Sequence, residues 1–333
     1  MLTQTYLESL QGAFSKARVA VVGDLMLDRY LFGTVSRISP EAPVPVLDIV
    51  HDEIRLGGAA NVGHNIHTLD ASALLFGVVG DDSKGERVRQ LMGSIGLETS
   101  GIVADHSRPT TIKTRVVAGS HQMLRVDQER KHHIPASVED ALLARLGAEI
   151  ESLDGIILED YNKGVLTPRV IRETIRLALE HGIPVFVDPK HENFFEYKRS
   201  TVFKPNKKEI EDALGLRLAD DDNVQKAGFK LLDMLQAENI LLTLSEKGMM
   251  LYERGAAEPF SIPTRARQVA DVSGAGDTVI ATLAVAKASG ASLREAAMIA
   301  NRAAGLVVEE LGIVPIRRQQ LFEALYEDVS LAG

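Results

Sequence analysis

The segment Asp271-Val272-Ser273-Gly274-Ala275-Gly276-Asp277-Thr278 holds the residues of this chain best suited to chemistry. It follows an extended stretch, Arg267–Ala270, and opens an apolar helix. Gly274 and Gly276 carry no Cβ, so backbone there can approach a ligand closely. The N–H groups at a helix start lack intrahelical partners and form an anion site. A carboxylate at Asp277 would sit inside that cradle, close to a bound phosphate. The other reading is a helix N-cap whose glycines serve packing alone. Local sequence weighs the two equally.

Much other chemistry is excluded. The chain has no cysteine, hence no disulfide, thiolate metal site or cysteine nucleophile. It has nine histidines but no H-E-x-x-H pair, and the adjacent His132 and His133 diverge on helix or strand alike. The net charge is −9, from 37 Lys+Arg against 46 Asp+Glu. That balance repels nucleic acid unless a basic patch is concentrated somewhere. The densest basic runs, Arg130–His133 and Lys204–Lys208, are short and interrupted, and read as solvated faces.

The elements that must position Asp277 follow from periodicity. The chain is 333 residues long, 45% hydrophobic and 25% charged, ordinary values for a soluble globular protein. A core of that size buries about three quarters of the unfolded surface and needs no staple. Short apolar runs at Val19–Gly23, Ala73–Val79, Gly155–Leu158, Val185–Val187 and Ile240–Leu244 read as strands. Amphipathic stretches at Asn61–Leu69, Lys84–Ile95, Val138–Ile150, Pro168–His181 and Asp222–Leu235 read as helices. The alternation implies an α/β fold, a mainly parallel sheet covered on both faces. Beyond Ala275 the chain reads as helix, at Ala275–Ser289, Leu293–Glu310 and Arg317–Tyr326. Two segments break the rhythm. Asp28–Leu56 carries Pro40, Pro43 and Pro45, and Thr110–Val117 with Gln122–Val126 reads as a hairpin turning at Ala118–His121. These predict a small antiparallel sheet outside the main one, serving as a lid, a dimer contact or both. The expectation is one domain over 1–333, with lid segments at about 28–56 and 109–127. Met1–Gln11 lacks the pattern of a signal peptide, and no apolar run nears the roughly 20 residues that span a bilayer. A cytoplasmic location follows, with no membrane or nucleic-acid partner.

The Asp271–Asp277 loop resembles the D-[TV]-[TS]-G-A-G-D signature of ribokinase-family carbohydrate kinases, with Ser273 where threonine is commoner. The resemblance implies a ribokinase-like fold with a β-sheet lid. It makes Asp277 the base that takes the proton from the attacking sugar hydroxyl, and the backbone of Gly274, Ala275 and Gly276 the anion hole. Phosphoryl transfer asks mainly for positioning and charge neutralisation, which suits this loop. Other landmarks follow in order. Gly57-Gly58-Ala59-Ala60-Asn61 resembles the sugar-binding Gly-Gly signature, a segment that alone reads equally as a tight turn before a helix. Asp24 stands where the family has an acid that binds sugar hydroxyls, beyond the carboxyl end of the first strand. Asn206-Lys207-Lys208-Glu209 resembles the N-x-x-E motif of the Mg²⁺ and phosphate region, the glutamate acting through water. An amide oxygen and a carboxylate suit that hard cation, and the same residues also fit a helix-capping box. Thr243, Ser245 and Gly248 match the nucleotide-binding strand and turn, with Ser245 where glycine is frequent. Asn301 and Ala304 match the adenine pocket. The cofactors implied are ATP and Mg²⁺, with a monovalent cation beside Asp271 and Ser273 as in some relatives.

A narrower resemblance covers nearly the whole chain. Val22–Tyr30, Ser36–Pro45, Glu159–Gly164 and Val187–Lys190 are similar to the branch of that family acting on D-glycero-β-D-manno-heptose 7-phosphate. It implies phosphorylation of the anomeric hydroxyl, on the route to ADP-heptose for the lipopolysaccharide inner core, by a homodimer joined through the lid. Many relatives carry a carboxyl-terminal adenylyltransferase domain. No H-x-G-H motif occurs here, so a stand-alone kinase or a kinase domain is expected. The phosphate already on the sugar needs cations, for which Arg37, Arg125, Lys163 and Lys190 are the candidates. The alternatives are a kinase of another phosphosugar and a non-catalytic nucleotide-binding regulator. A dinucleotide-binding oxidoreductase is disfavoured, because Val19–Gly23 is followed by Asp24–Asp28 and not by G-x-G-x-x-G.

Overall fold

The apolar runs form strands and the three- and four-residue spacings form helices, alternating along the chain. The computed structural model describes residues 3–119, 121–265, 270–310 and 312–332. Part of the expected extended stretch before the loop, at 267–269, lies outside these residues, as does Ser120 in the expected hairpin turn. In chain order the elements are α1 (Gln4–Phe14), β1 (Arg18–Ile38), β2 (Pro45–Gly58), α2 (Ala59–Thr68), β3 (Ser72–Gly80), α3 (Ser83–Ser94), β4 (Ile102–Asp105), β5 (Thr111–Ala118), β6 (His121–Gln128) and α4 (Ala136–Glu149). There follow β7 (Gly155–Glu159), α5 (Pro168–Glu180), β8 (Val185–Asp188), β9 (Val202–Phe203), α6 (Lys207–Leu214), α7 (Asp221–Leu235), β10 (Asn239–Thr243), β11 (Met249–Glu253), β12 (Phe260–Ile262), α8 (Ala275–Ala288), α9 (Leu293–Val307) and α10 (Arg318–Ala332).

The main sheet runs β12-β11-β10-β9-β8-β7-β1-β3-β4. It is parallel from β10 to β4, and β11 and β12 pair antiparallel at the other edge. One face packs against α2, α8, α9 and α10, burying Val279, Ile280, Leu283 and Phe322. The opposite face packs against α4, α5 and α7, burying Leu142, Ile171 and Leu231. Helix starts are set by local chemistry. Thr167 caps α5 by accepting from Val170 N–H, with Pro168 in the first turn, where its missing N–H costs nothing. Ser292 and Glu295 form a capping box on α9.

The lid differs from expectation. It is not a separate antiparallel sheet, because β1 is one 21-residue strand that belongs to both. Its first half pairs with β3 and β7 in the body. Its second half leaves the core and pairs antiparallel with β2 and parallel with β5, which in turn pairs with β6. The lid is thus rooted in the strand that ends at Asp24 in the body. At the far end α9 stops at Val307, short of the expected Glu310, and α10 continues past Tyr326. Gly58 closes β2 with φ +59°, and a Cβ there would lie 2.4 Å from the Asp24 carbonyl. Only glycine permits this turn onto α2.

Candidate active site

Asp277 occupies the first turn of α8 and is buried. Its Oδ2 accepts from Asn61 Nδ2 at 2.6 Å, and its Oδ1 accepts from the Tyr161 hydroxyl at 2.9 Å. Asn61 stands on α2 directly after the Gly57-Gly58 turn, and Tyr161 follows the carboxyl end of β7. Three separate elements therefore converge on one carboxylate. Burial pushes the Asp277 carboxyl up to about 6; the Asp188 charge adds to this, while the hydrogen bonds from Asn61 and Tyr161 oppose it. A carboxylate with its value near neutral is suited to accept a proton. Gly274 caps α8 with φ +80° and no side-chain hydrogen bond. The Ala275 N–H reaches back to the Val272 carbonyl at 3.3 Å. The first-turn N–H groups of Gly276 and Asp277 lie ahead of any intrahelical acceptor, as a helix start requires.

Two further carboxylates face Asp277. Glu159 ends β7 and Asp188 ends β8, and the three residues offer oxygens within 4.8 Å of one another. Glu159 is wholly buried, and neither of its carboxylate oxygens has a hydrogen-bond partner. Burial pushes its carboxyl well above the ordinary range, and the Asp188 and Asp277 charges add to this. Asp188 is held by buried Lys204 at 2.8 Å. An orphaned buried carboxylate beside a second one fits a hard divalent cation such as Mg²⁺. Glu159 and Asp188 would hold it. Asn206 and Glu209, expected to meet the metal through water, fill the capping role on α6 that their spacing also predicted. Glu209 Oε1 also accepts from Lys190 at 2.7 Å.

Asp24 sits where expected, at the end of the part of β1 that pairs in the body, and has partners that the sequence did not reveal. It is buried, and its carboxylate accepts from three backbone N–H groups: Tyr161 at 2.8 Å, Lys163 at 3.0 Å and Val165 at 3.1 Å. It thus staples the loop that carries Tyr161, and its oxygens are taken up by backbone. Burial, with the neighbouring Asp160 charge, pushes its carboxyl up to about 6. Gly57 lies against this region too, since a Cβ there would meet Asp28 Oδ2.

The expected phosphate ligands are spread out. Arg37 is exposed near the outer end of β1, paired in register with Val46. Arg125 is exposed and bound to Asp127 at 2.8 Å. Lys163 pairs with Glu129 at 2.9 Å, and Lys190 with Glu209. Of these four, Lys190 lies 3.9 Å from Asp188 of the Asp277 cluster, and Lys163 follows Tyr161 in the loop held by Asp24. On the expected nucleotide side, the Thr243 N–H donates to the Pro205 carbonyl, tying β10 to the start of α6. Ser245 has φ +51°, which explains why glycine suits that position. Gly248 has φ +85°, and a Cβ there would sit 2.2 Å from the Ile262 carbonyl. Asn301, buried on α9, donates to the Pro263 carbonyl at 2.8 Å; Ala304 lies one turn further on. Asn301 borders a cavity of about 420 Å³ lined also by Pro263, Met298 and Leu325.

Sequence reasoning singled out the stretches holding Glu159, Tyr161 and Asp188 but gave these residues no role. The available signal was their place at the carboxyl ends of adjacent parallel strands, where ligands bind in such sheets. Lys204 and Lys113 had no such signal.

A parallel sheet with a buried carboxylate at a glycine-capped helix start defines a kinase-like phosphoryl-transfer architecture. Residues 16–317 match the model of the pfkB family carbohydrate kinases, and the chain belongs to that family. It is 43% identical over 321 residues to the bifunctional protein HldE of Pelobacter propionicus, covering 96% of this chain and 66% of that protein. It is 45% identical over 318 residues to the bifunctional protein HldE of Caulobacter sp. strain K31, covering 95% of this chain and 64% of that one. The chain thus spans a little under two thirds of these relatives. Among solved structures, Escherichia coli phosphofructokinase-2 in complex with potassium superposes with a TM-score of 0.76 at 19% identity, covering 94% of this chain and 99% of that one. Arabidopsis thaliana ribokinase complexed with ribose and ATP gives 0.74 at 20% identity, covering 93% and 98%. The fold is ribokinase-like.

Proposed function

We propose that the protein transfers the γ-phosphoryl group of ATP to the anomeric hydroxyl of D-glycero-β-D-manno-heptose 7-phosphate. The product is the 1,7-bisphosphate, an intermediate toward ADP-heptose for the lipopolysaccharide inner core. The observation that carries phosphoryl transfer is Asp277, buried in the first turn of α8 and gripped through both oxygens by Asn61 and Tyr161. The choice of sugar is supported by the similarity of Ser36–Pro45, Glu159–Gly164 and Val187–Lys190 to heptose 7-phosphate kinases.

In this reading ATP lies along Thr243, Ser245, Gly248, Asn301 and Ala304, with its phosphates directed at the start of α8. Glu159 and Asp188 would hold Mg²⁺, which would supply neutralisation of the phosphate charge. Asp277 takes the proton as the anomeric oxygen forms its bond to the γ-phosphorus, and the bond to the ADP oxygen breaks. The N-terminal N–H groups of α8 face the charge that spreads over the transferring oxygens. A monovalent cation near Asp271 and Ser273 belongs to the same reading. So does a second copy of the chain over the exposed lid residues Ile38, Ile49, Val50 and Leu124, with a cytoplasmic location. Among the described residues no helix is long and apolar enough to cross a membrane.

The test is an ADP-release assay with MgATP and a panel of sugars: heptose 7-phosphate, fructose phosphates, tagatose 6-phosphate and ribose. Phosphorus NMR follows the product. Preference for the heptose with a new β-anomeric phosphate signal is expected. Preference for another sugar discards the heptose and keeps the kinase.

A further inference from the structure

Charges along the lid strands nearest Asp277 nearly all find partners. Lys113, on β5, sits in register between Asp28 of β1 and Asp127 of β6. Both acids are engaged elsewhere: Asp28 binds Arg115, and Asp127 binds Arg125 at 2.8 Å. The next acid, Glu129, is shared by Lys163 at 2.9 Å and Lys131 at 3.4 Å. Among the described residues no carboxylate comes within ion-pair distance of the Lys113 ammonium. It rests instead 5.4 Å from the centre of the Tyr161 ring, whose hydroxyl meets Asp277. Burial draws the Lys113 ammonium below its ordinary range, and the Lys163 charge contributes.

Lys113 belongs to the lid and Lys163 to the body, in the loop stapled by Asp24. The Lys163 charge acts on Lys113 against the partial support of Asp28 and Glu129, and those two acids are already paired, with Arg115 and with Lys163 and Lys131. Among the described residues Lys113 keeps a part-buried positive charge with no ion pair of its own. Such charge is costly unless an anion enters. Lys113 stands over the ring of Tyr161, whose hydroxyl meets Asp277, so an anion at Lys113 can belong to the molecule being phosphorylated.

We propose that Lys113 of the lid, together with Lys163 of the body, binds the phosphate that the sugar already carries. This rests on the reading that the substrate is a phosphosugar, and it names the group that selects one. Arg37 and Arg125, exposed on the lid, are then not required for that selection. A dianion held from both sides also ties β5 to the loop carrying Tyr161, so substrate phosphate joins the lid to the catalytic body. An unphosphorylated sugar leaves that link unmade.

The experiment compares kcat/KM for heptose 7-phosphate with kcat/KM for the same heptose lacking phosphate. It is run on the wild type, Lys113→Gln and Lys113→Arg. Loss of a charge-assisted contact predicts that Lys113→Gln lowers the ratio of the two values by at least about tenfold, mainly through KM for the phosphosugar. Lys113→Arg keeps the cation and recovers part of the ratio. A purely structural lysine would lower both substrates together, so an unchanged ratio in Lys113→Gln overturns the proposal. Should that variant fail to fold, Lys113→Met keeps the stem over Tyr161 and gives the same readout. A wild type inactive on heptose 7-phosphate defeats the choice of sugar alone. The ratio is then measured with the phosphosugar of the panel that it does accept, against its unphosphorylated parent. A wild type that accepts the bare sugar as readily as the phosphosugar overturns the anchor outright.

Discussion

Asp277 is held through both of its carboxylate oxygens, by Asn61 at 2.6 Å and by the Tyr161 hydroxyl at 2.9 Å, and in the proposed reaction it is the base. A base works only when ionised, and this carboxyl lies at about 6 in the ligand-free protein. The expected pH profile of kcat/KM, which reports the free enzyme, is therefore flat above neutrality. Below pH about 6 it falls about tenfold per unit as Asp277 protonates. The Tyr161 hydrogen bond favours the ionised form. Tyr161→Phe should thus move the acid limb to higher pH, with a smaller drop at the plateau. A limb that stays in place, or moves to lower pH, would show that Tyr161 does not hold the base. Asp277, Asn61 and the glycines were legible because they lie within contiguous motifs. Tyr161, Glu159 and Asp188 lie 116, 118 and 89 residues before Asp277, by subtraction of their positions. Only strand pairing brings them together, and no local spacing records that.

At the level of elements, the five apolar runs each became a strand and the amphipathic stretches each became a helix, with ends shifted by one or two residues except in β1, which runs on to Ile38. Burial on both faces of a parallel sheet writes itself into a sequence as a plain apolar run. The length of β1 was not legible, since its outer half passes from part-buried to exposed and carries Arg29 and Arg37, so no sustained apolar run marks it. The short α6 was visible only as a cap, through the Asn206–Glu209 box at its start. The role of Asp24 depended on structure as well. The residue sits at the end of the expected strand, yet its partners are backbone groups 137 to 141 residues away. Asp24→Ala would strand three buried N–H groups, each worth about 1–3 kcal/mol when unsatisfied. The expected loss is at least about 3 kcal/mol in urea unfolding, with Asp24→Asn losing less because one acceptor oxygen remains. An Asp24→Ala protein as stable as the parent would mean that the Tyr161–Val165 loop does not depend on this staple.

Across the whole molecule, the pieces of the site come from distant parts of one sheet. The glycine turn and Asn61 belong to the amino-terminal half, Glu159 and Asp188 to its middle, and Asp277 to the helical carboxyl-terminal part. The lid grows out of the same strand that delivers Asp24, so lid and site share a frame. That continuity was not legible, because reading the lid as an extra sheet treats β1 as ending at Gly23. Lys113 shows the same limit: its lack of a partner emerges only once three lid strands are in register. In the proposed function this frame places one carboxylate against a sugar hydroxyl for phosphoryl transfer. That role is tested most directly by kcat of Asp277→Asn with MgATP and the preferred phosphosugar, with ATP affinity and melting measured alongside. The account predicts a folded variant that still binds ATP and loses at least about a hundredfold in kcat. A folded variant with near-wild-type turnover would contradict it.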